Sequence, residues 1–153
     1  MKQRILALVM CLMLCVGLLP MTASATDPVL YIEETEVTGT SGSGTGWSYS
    51  EGDVAATLTL SDFTYSGEGS PADYGISVYN PAAIIYAGTK PLTISLSGTS
   101  SVTCTAASSV GIYSIADVFI EGEGTLSATG TNDGICCYQT DFTVQDAETV
   151  VHT

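Results

Sequence analysis

Apolar residues alternate with hydroxyl residues in many short segments of the chain. Residues 56–60 read Ala-Thr-Leu-Thr-Leu, residues 92–96 read Leu-Thr-Ile-Ser-Leu, and residues 126–128 read Leu-Ser-Ala. A period of two is typical of a strand with one buried face, because successive side chains of a strand point to opposite sides. No convincing helical spacing of apolar residues occurs after residue 25, so the pattern predicts an all-β protein.

The short strands recur at a nearly constant interval. Leu92 and Val118 are 26 residues apart, Val118 and Phe142 are 24 apart, and Val102 and Leu126 are 24 apart. A period of this size with about three short strands in each repeat is typical of a solenoid. We therefore predict a right-handed parallel β-helix of ~24-residue coils, in which each coil pairs with the next.

In such a stack, equivalent apolar side chains lie above one another in columns that face the interior. The predicted columns are Leu92, Val118 and Phe142; Ile94, Ile120 and Val144; Val102, Leu126 and Val150; Cys104 and Ala128; and Ile85, Ile112 and Ile135. The alternative is an antiparallel β-sandwich, which also uses short alternating strands. A sandwich does not predict register-matched columns at a constant repeat.

Residues 1–25 have the layout of a secretory signal peptide. Lys2 and Arg4 precede an apolar run, Ile5–Leu19, and Ala23-Ser24-Ala25 is a small-residue cleavage site. The run is shorter than the roughly 20 residues that a bilayer span needs. We therefore expect a secreted, extracellular protein, with cell-wall association as one option and no membrane contact after cleavage.

The remaining chain is expected to have two parts. Residues 26–46 contain a strand at Val29–Ile32 and a Gly/Ser/Thr-rich segment, Thr38–Gly46, which we expect to be a flexible linker. Residues 47–153 form the repeat domain, with Trp47 covering its first coil. The last coil lacks a closing strand, so we expect a repeat domain that is incomplete at its C-terminus, or self-association edge to edge.

The charge of the chain restricts its partners. Removal of Lys2 and Arg4 changes the net charge from -13 to -15, and Lys90 is then the only Lys or Arg. Such a chain is unsuited to nucleic acid, which is bound largely through Lys and Arg, and is repelled by anionic membranes. We expect the carboxylates to form a solvated surface with no metal and no cofactor, and calcium binding is the alternative.

Three cysteines follow the predicted cleavage site: Cys104, Cys136 and Cys137. Adjacent cysteines fit disulfide geometry poorly, and the spacing matches no zinc pattern. We interpret all three as small packing residues, with a bridge from Cys104 as the alternative.

Three segments resemble the repeat domains of secreted Gram-positive bacterial surface proteins. They are residues 46–67 (GWSYSEGDVAATLTLSDFTYSG), residues 92–103 (LTISLSGTSSVT) and residues 118–130 (VFIEGEGTLSATG). The signal peptide ending LLPMTASA is also similar. The resemblance implies a pectate-lyase-like parallel β-helix, often labelled a carbohydrate-binding domain. In the second of these segments, Ser100 or Ser101 takes the place of the Asn that is usual in the family.

Residues suited to catalysis are scarce. The resemblance implies that a lyase of this fold would need calcium carboxylates and a base, and a hydrolase an Asp cluster beside His and basic groups. The only Lys, Arg or His side chains after residue 25 are Lys90 and His152. Glu121 and Glu123 are expected to be exposed turn acids, and no serine has a histidine to activate it. We therefore predict no catalytic residue and no enzyme activity.

Two residue pairs remain of interest. Asp117 and Asp141 precede equivalent strands, where we expect them to cap backbone N–H groups, with a shared cation as the alternative. Tyr86 and Tyr113 are expected to face outward on neighbouring coils and to stack on sugar rings. In the alternative, the two Tyr side chains only stabilise the ladder of strands.

Three functions are compatible with these observations. The first is a non-catalytic extracellular surface module that binds polysaccharide or cell-wall glycan or acts as an adhesin. The second is a structural solenoid that spaces or displays other domains. The third is a fragment of a polysaccharide-degrading enzyme whose active site lies beyond residue 153.

Overall fold

The computed structural model describes residues 29–70, 80–138, 140–145 and 148–152. These residues form fifteen β-strands and no helix, so the predicted all-β class is confirmed. They accordingly contain no helix able to span a membrane. The predicted signal peptide, residues 1–25, lies outside the described residues.

The strands belong to three sheets. In chain order the strands are β1 (Leu30–Ile32), β2 (Thr35–Val37), β3 (Ser41–Gly44), β4 (Trp47–Glu51), β5 (Ala56–Ser61), β6 (Thr64–Gly67), β7 (Ala82–Tyr86), β8 (Leu92–Ser97), β9 (Thr99–Cys104), β10 (Val110–Ser114), β11 (Val118–Gly122), β12 (Thr125–Thr129), β13 (Asp133–Cys137), β14 (Phe142–Val144) and β15 (Glu148–His152). Sheet I has the order β13-β10-β7-β1-β2, sheet II the order β14-β11-β8-β5-β4-β3, and sheet III the order β15-β12-β9-β6.

From β5 onward the chain passes through the sheets in a constant order: II, III, then I. We call each such passage a circuit. Each strand pairs in parallel with its equivalent in the next circuit, three strands later in the chain. Antiparallel pairs between the described strands involve β1 to β5 and β7, at the start of the stack. The alternative of an antiparallel sandwich is therefore wrong for the repeats.

The predicted register of the sheet II columns is confirmed, but their last members, Phe142 and Val144, are 40% and 41% exposed rather than buried. Leu92 pairs with Val118 and Val118 with Phe142, and the column that runs through Ile94 and Ile120 has the predicted register too. Both columns extend backward onto β5. The side chains of β5 and β8 that face inward are at most 3% exposed, so these columns form the centre of the core.

The predicted columns of sheet III are wrong, by two residues between β9 and β12 and by one residue between β12 and β15. Val102 pairs with Ala128 rather than with Leu126, and Leu126 pairs with Ser100 and Thr149. The cause is unequal loops, because residues 105–109 connect β9 to β10 whereas residues 130–132 connect β12 to β13. Equivalent residues are therefore 26 apart between β9 and β12 but 23 apart between β10 and β13.

One residue of the predicted sheet I column is also wrong. Ile112 pairs with Ile84 and Ile135, so Ile84 rather than Ile85 continues the inward column. Ile85 instead belongs to a separate buried cluster that also contains Tyr31. Because β7 is apolar throughout and buried throughout, its sequence does not show which residues face the main core.

The predicted flexible linker contains strand β3, which pairs antiparallel with β4. Gly42 and Gly44 leave space for side chains, since an added Cβ would collide with Val37 at the first position and with the Trp47 indole at the second. Trp47 is only 6% exposed, and its Nε1 donates to Glu33 Oε2 at 3.0 Å. Tertiary pairing therefore orders a segment whose composition is typical of a linker.

Ile94→Ala tests the stacked columns. Ile94 is 0% exposed and lies between Leu58 and Ile120. Truncating a buried isoleucine to alanine costs about 2–5 kcal/mol, and we expect that loss in urea unfolding followed by circular dichroism. Ser101→Ala, on the outer face of sheet III, should change stability by less than about 0.5 kcal/mol. Equal effects of the two substitutions would contradict the assignment of the core.

Candidate functional site

The two tyrosines predicted to stack on sugars are buried. Tyr86 is 1% exposed and Tyr113 is 6% exposed. Tyr86 packs in the main core with Ile112, whereas Tyr113 packs with Tyr31 and Ile85 in the separate cluster. The expectation of two exposed rings is therefore wrong. Tyr86 faces the main core, whereas Tyr113 lies on the opposite face of sheet I, as expected, but is buried there.

Tyr86 is part of a structural corner that also engages Lys90. The Tyr86 hydroxyl donates to the Lys90 carbonyl oxygen at 3.0 Å, and its ring centroid lies 6.4 Å from that of Tyr49. Burial raises the pKa of both phenols above the ordinary value. Lys90 Nζ pairs with Glu51 Oε1 at 2.7 Å and donates to the Gly52 carbonyl oxygen at 2.8 Å. Lys90 therefore joins two loops.

The predicted capping by Asp117 is confirmed. Its Oδ1 accepts a hydrogen bond from the backbone N–H of Asp141 at 3.1 Å, one circuit away. Asp62 acts in the same way on the N–H of Thr99, at 2.9 Å. Among the described residues, no group of three or more His, Cys, Asp or Glu side chains is arranged to hold a metal ion. These carboxylates stabilise the connections between circuits.

Ser100, one of the two positions at which the resemblance implies an Asn, is 1% exposed. Its Oγ accepts from the Phe63 N–H at 3.2 Å. A hydroxyl thus satisfies a backbone donor of the preceding circuit, which is a role that stacked Asn side chains can also serve.

The cysteines are free thiols in packed positions. Cys104 is buried, and its Sγ donates to the Glu68 carbonyl oxygen at 3.1 Å. Cys136 and Cys137 are half-buried. Burial raises the pKa of Cys136 and raises that of Cys137 to about 11, which leaves both thiols protonated at neutral pH. The predicted packing role is confirmed.

The outer face of sheet II carries two rows of residues in register, and nearly all of these residues are polar. We call this outer face the hydroxyl face. Residues opposite one another on adjacent strands fall in the same row. Along each strand, the residues that alternate with the row members point inward and belong to the core. The first row consists of Ser41, Ser50, Thr57, Thr93, Phe119 and Thr143, and the second of Ser43, Ser48, Thr59, Ser95 and Glu121.

Phe119 is the aromatic member of the hydroxyl face. It lies between Thr93 and Thr143 in its row, and its side chain is partly exposed. Glu121 lies two residues further along the same strand and is exposed. Glu121 is exposed as expected, but it belongs to a strand rather than to a turn, because β11 continues through Gly122. The strand thus presents one aromatic ring and one carboxylate to solvent.

A shallow depression adjoins the second row. Its volume is about 370 Å³, and it is lined by Gly46, Trp47, Ser48, Thr59 and Ser61. The depression therefore lies on the hydroxyl face, at the side nearer the start of the chain.

The outward position of Phe119 could have been inferred from the sequence. Val118 and Ile120 are correctly assigned to inward columns, and a strand alternates its faces, so Phe119 must point outward. Only tyrosines were predicted to stack on sugars, although the same alternation of faces applies to this phenylalanine. The missed signal is an aromatic residue at an outward position of a well-defined strand.

The outer face of sheet III provides a comparison within the same protein. Its rows contain Thr64, Ser101 and Ser127; Ser66, Thr103 and Thr129; and Thr99 with Thr125. On β6, β9 and β12 these rows bear hydroxyls alone, and on β15 they continue to Val150, His152 and Glu148, respectively. An aromatic ring with hydroxyls on both neighbouring strands is therefore found on sheet II but not on β6, β9 or β12.

No protein-family model matches the chain, and the comparisons with curated proteins and with solved structures found no significant match. The resemblance to repeat domains of bacterial surface proteins therefore stays a prediction. The geometry of the hydroxyl face is the basis on which a function can be argued.

Tyr86→Phe tests the raised pKa of the buried phenol. The folded-state pKa lies above that of an exposed tyrosine, about 10, so the stabilisation is complete below about pH 10 and is lost as the pH rises further. At about pH 8 the variant should be less stable by about 1 kcal/mol, because the hydrogen bond to Lys90 is lost.

Near pH 11 the difference between wild type and Tyr86→Phe should approach zero, because the variant has no phenol to ionise at this position when it unfolds. Urea unfolding across this pH range measures the difference. A gap that stays constant with pH would contradict the inferred pKa.

Proposed function

We propose that the chain is a right-handed parallel β-helix of ~24-residue coils, acting as a non-catalytic extracellular surface module that binds glycans. The fold proposal is supported by the constant order in which the chain visits its three sheets and by the parallel pairing of equivalent strands. Its extracellular location is supported by the layout of residues 1–25.

The observation that carries the binding proposal is Phe119 on the hydroxyl face. Aromatic rings bind the apolar C–H faces of sugars, and Ser and Thr hydroxyls both donate and accept hydrogen bonds. Thr93 and Thr143 flank the ring along its row, so a sugar stacked on Phe119 has hydroxyls on both sides. This arrangement replaces the Tyr86 and Tyr113 pair, whose rings are buried.

The proposed function is non-catalytic because the side chains best suited to acid, base or cation chemistry already have structural roles. Lys90 is held by Glu51 and by a backbone carbonyl, and Asp117 and Asp62 accept hydrogen bonds from backbone N–H groups. Glu121 is exposed on the hydroxyl face, where its carboxylate can accept hydrogen bonds from sugar hydroxyls.

Phe119→Ala tests this function. We expect wild type to bind neutral glycans on an array and in affinity gel electrophoresis, and the variant to bind at least about ten-fold more weakly, equivalent to about 1.4 kcal/mol. The matched control is Tyr138→Ala, which removes an aromatic ring that is 47% exposed and lies outside the hydroxyl face.

Circular dichroism of both variants shows whether the fold is retained. Equal weakening by Phe119→Ala and Tyr138→Ala would place the binding elsewhere. A wild-type protein that binds no glycan at all would overturn the proposed function and favour the alternative of a spacer or display solenoid.

A further inference from the structure

The rows of the hydroxyl face cross the strands rather than follow them, and this direction limits the shape of a ligand. We propose that the hydroxyl face binds a neutral, extended polysaccharide chain that lies across the strands, along the rows. This inference rests on the proposed glycan-binding function and adds the orientation and chemical class of the ligand.

The length of the first row fits several consecutive sugars. It joins residues on six strands, and adjacent strands lie about 4.8 Å apart, so the row is about 24 Å long. Five of its six members are Ser or Thr, which can each donate and accept a hydrogen bond. A straight polymer therefore meets similar partners at each strand, whereas a single sugar uses only part of the row.

Phe119 fixes where such a chain is held most tightly. Its row continues on both sides of the ring, to Thr143 in one direction and to Thr93 and Thr57 in the other. A sugar stacked on the ring can thus be an internal unit of a polymer. The longer part of the row runs toward β3, the same side of sheet II as the depression beside Ser48 and Thr59.

Charge favours a neutral polymer over an anionic one. The chain after residue 25 has a net charge of -15, and Glu121 lies in the second row beside the aromatic ring. The rows contain no Lys or Arg, and Lys90 is paired with Glu51. Uronate or sulfate groups would therefore be repelled without a compensating cation.

The test compares oligosaccharides of increasing length by isothermal titration calorimetry. The neutral probes are β-1,4-linked gluco-, manno-, xylo- and chito-oligosaccharides from the disaccharide to the hexasaccharide, and oligogalacturonates of equal length are the anionic probes. For at least one neutral series we expect affinity to rise about ten-fold or more from the shortest to the longest member, with oligogalacturonates weaker at every length.

Thr57→Gln adds bulk to the row two strands from Phe119, about 10 Å away. We expect it to abolish the gain in affinity with length while binding of the disaccharide to the region of Phe119 is unchanged. Thr103→Gln makes the same substitution on the outer face of sheet III and should have no effect.

The outcomes separate the two proposals. Binding that is independent of length, stronger for oligogalacturonates, or insensitive to Thr57→Gln would overturn the extended neutral ligand while glycan binding itself stands. Absence of binding to every probe, together with no binding on the array, would overturn the proposed function as well.

Discussion

The structure depends on parallel pairing of each circuit with the next in a fixed register. Because side chains alternate between the two faces of a strand, one register decides at once which residues form the core and which form the surface. In sheet II this places Leu92 and Val118 in one buried column and Thr93 and Phe119 in one exposed row. The core and the proposed binding face therefore have the same physical origin.

Several polar side chains between circuits satisfy backbone atoms. Asp62, Ser100 and Asp117 each accept a hydrogen bond from an N–H of another circuit, and Lys90 joins two loops through Glu51. A buried backbone donor without a partner is costly, and Ser100 supplies that partner in the interior. Asp62, Asp117 and Lys90 make their bonds at the surface, where they hold neighbouring loops together.

Burial also decides which aromatic residues can meet a ligand. Sheet I is apolar on both faces, so Tyr86 fills the main core and Tyr113 fills a second cluster. Sheet II is apolar on its inner face alone, so Phe119 stays accessible at an outward position. A ring on a one-sided sheet offers its surface to a ligand, whereas a ring on a sheet packed on both sides stabilises the fold.

The sequence by itself determined the all-β class, the parallel repeat and the columns of sheet II, because strict alternation in residues 92–96 and 118–120 leaves one consistent parity. The tertiary structure decided the registers of sheets I and III, since loops 105–109 and 130–132 differ in length and β7 is apolar on both sides. It also decided that β3 is ordered, because its glycines fit under neighbouring side chains. Local periodicity fixes which face a residue takes on its own strand, but loop length and the packing of a second face determine which residues become neighbours.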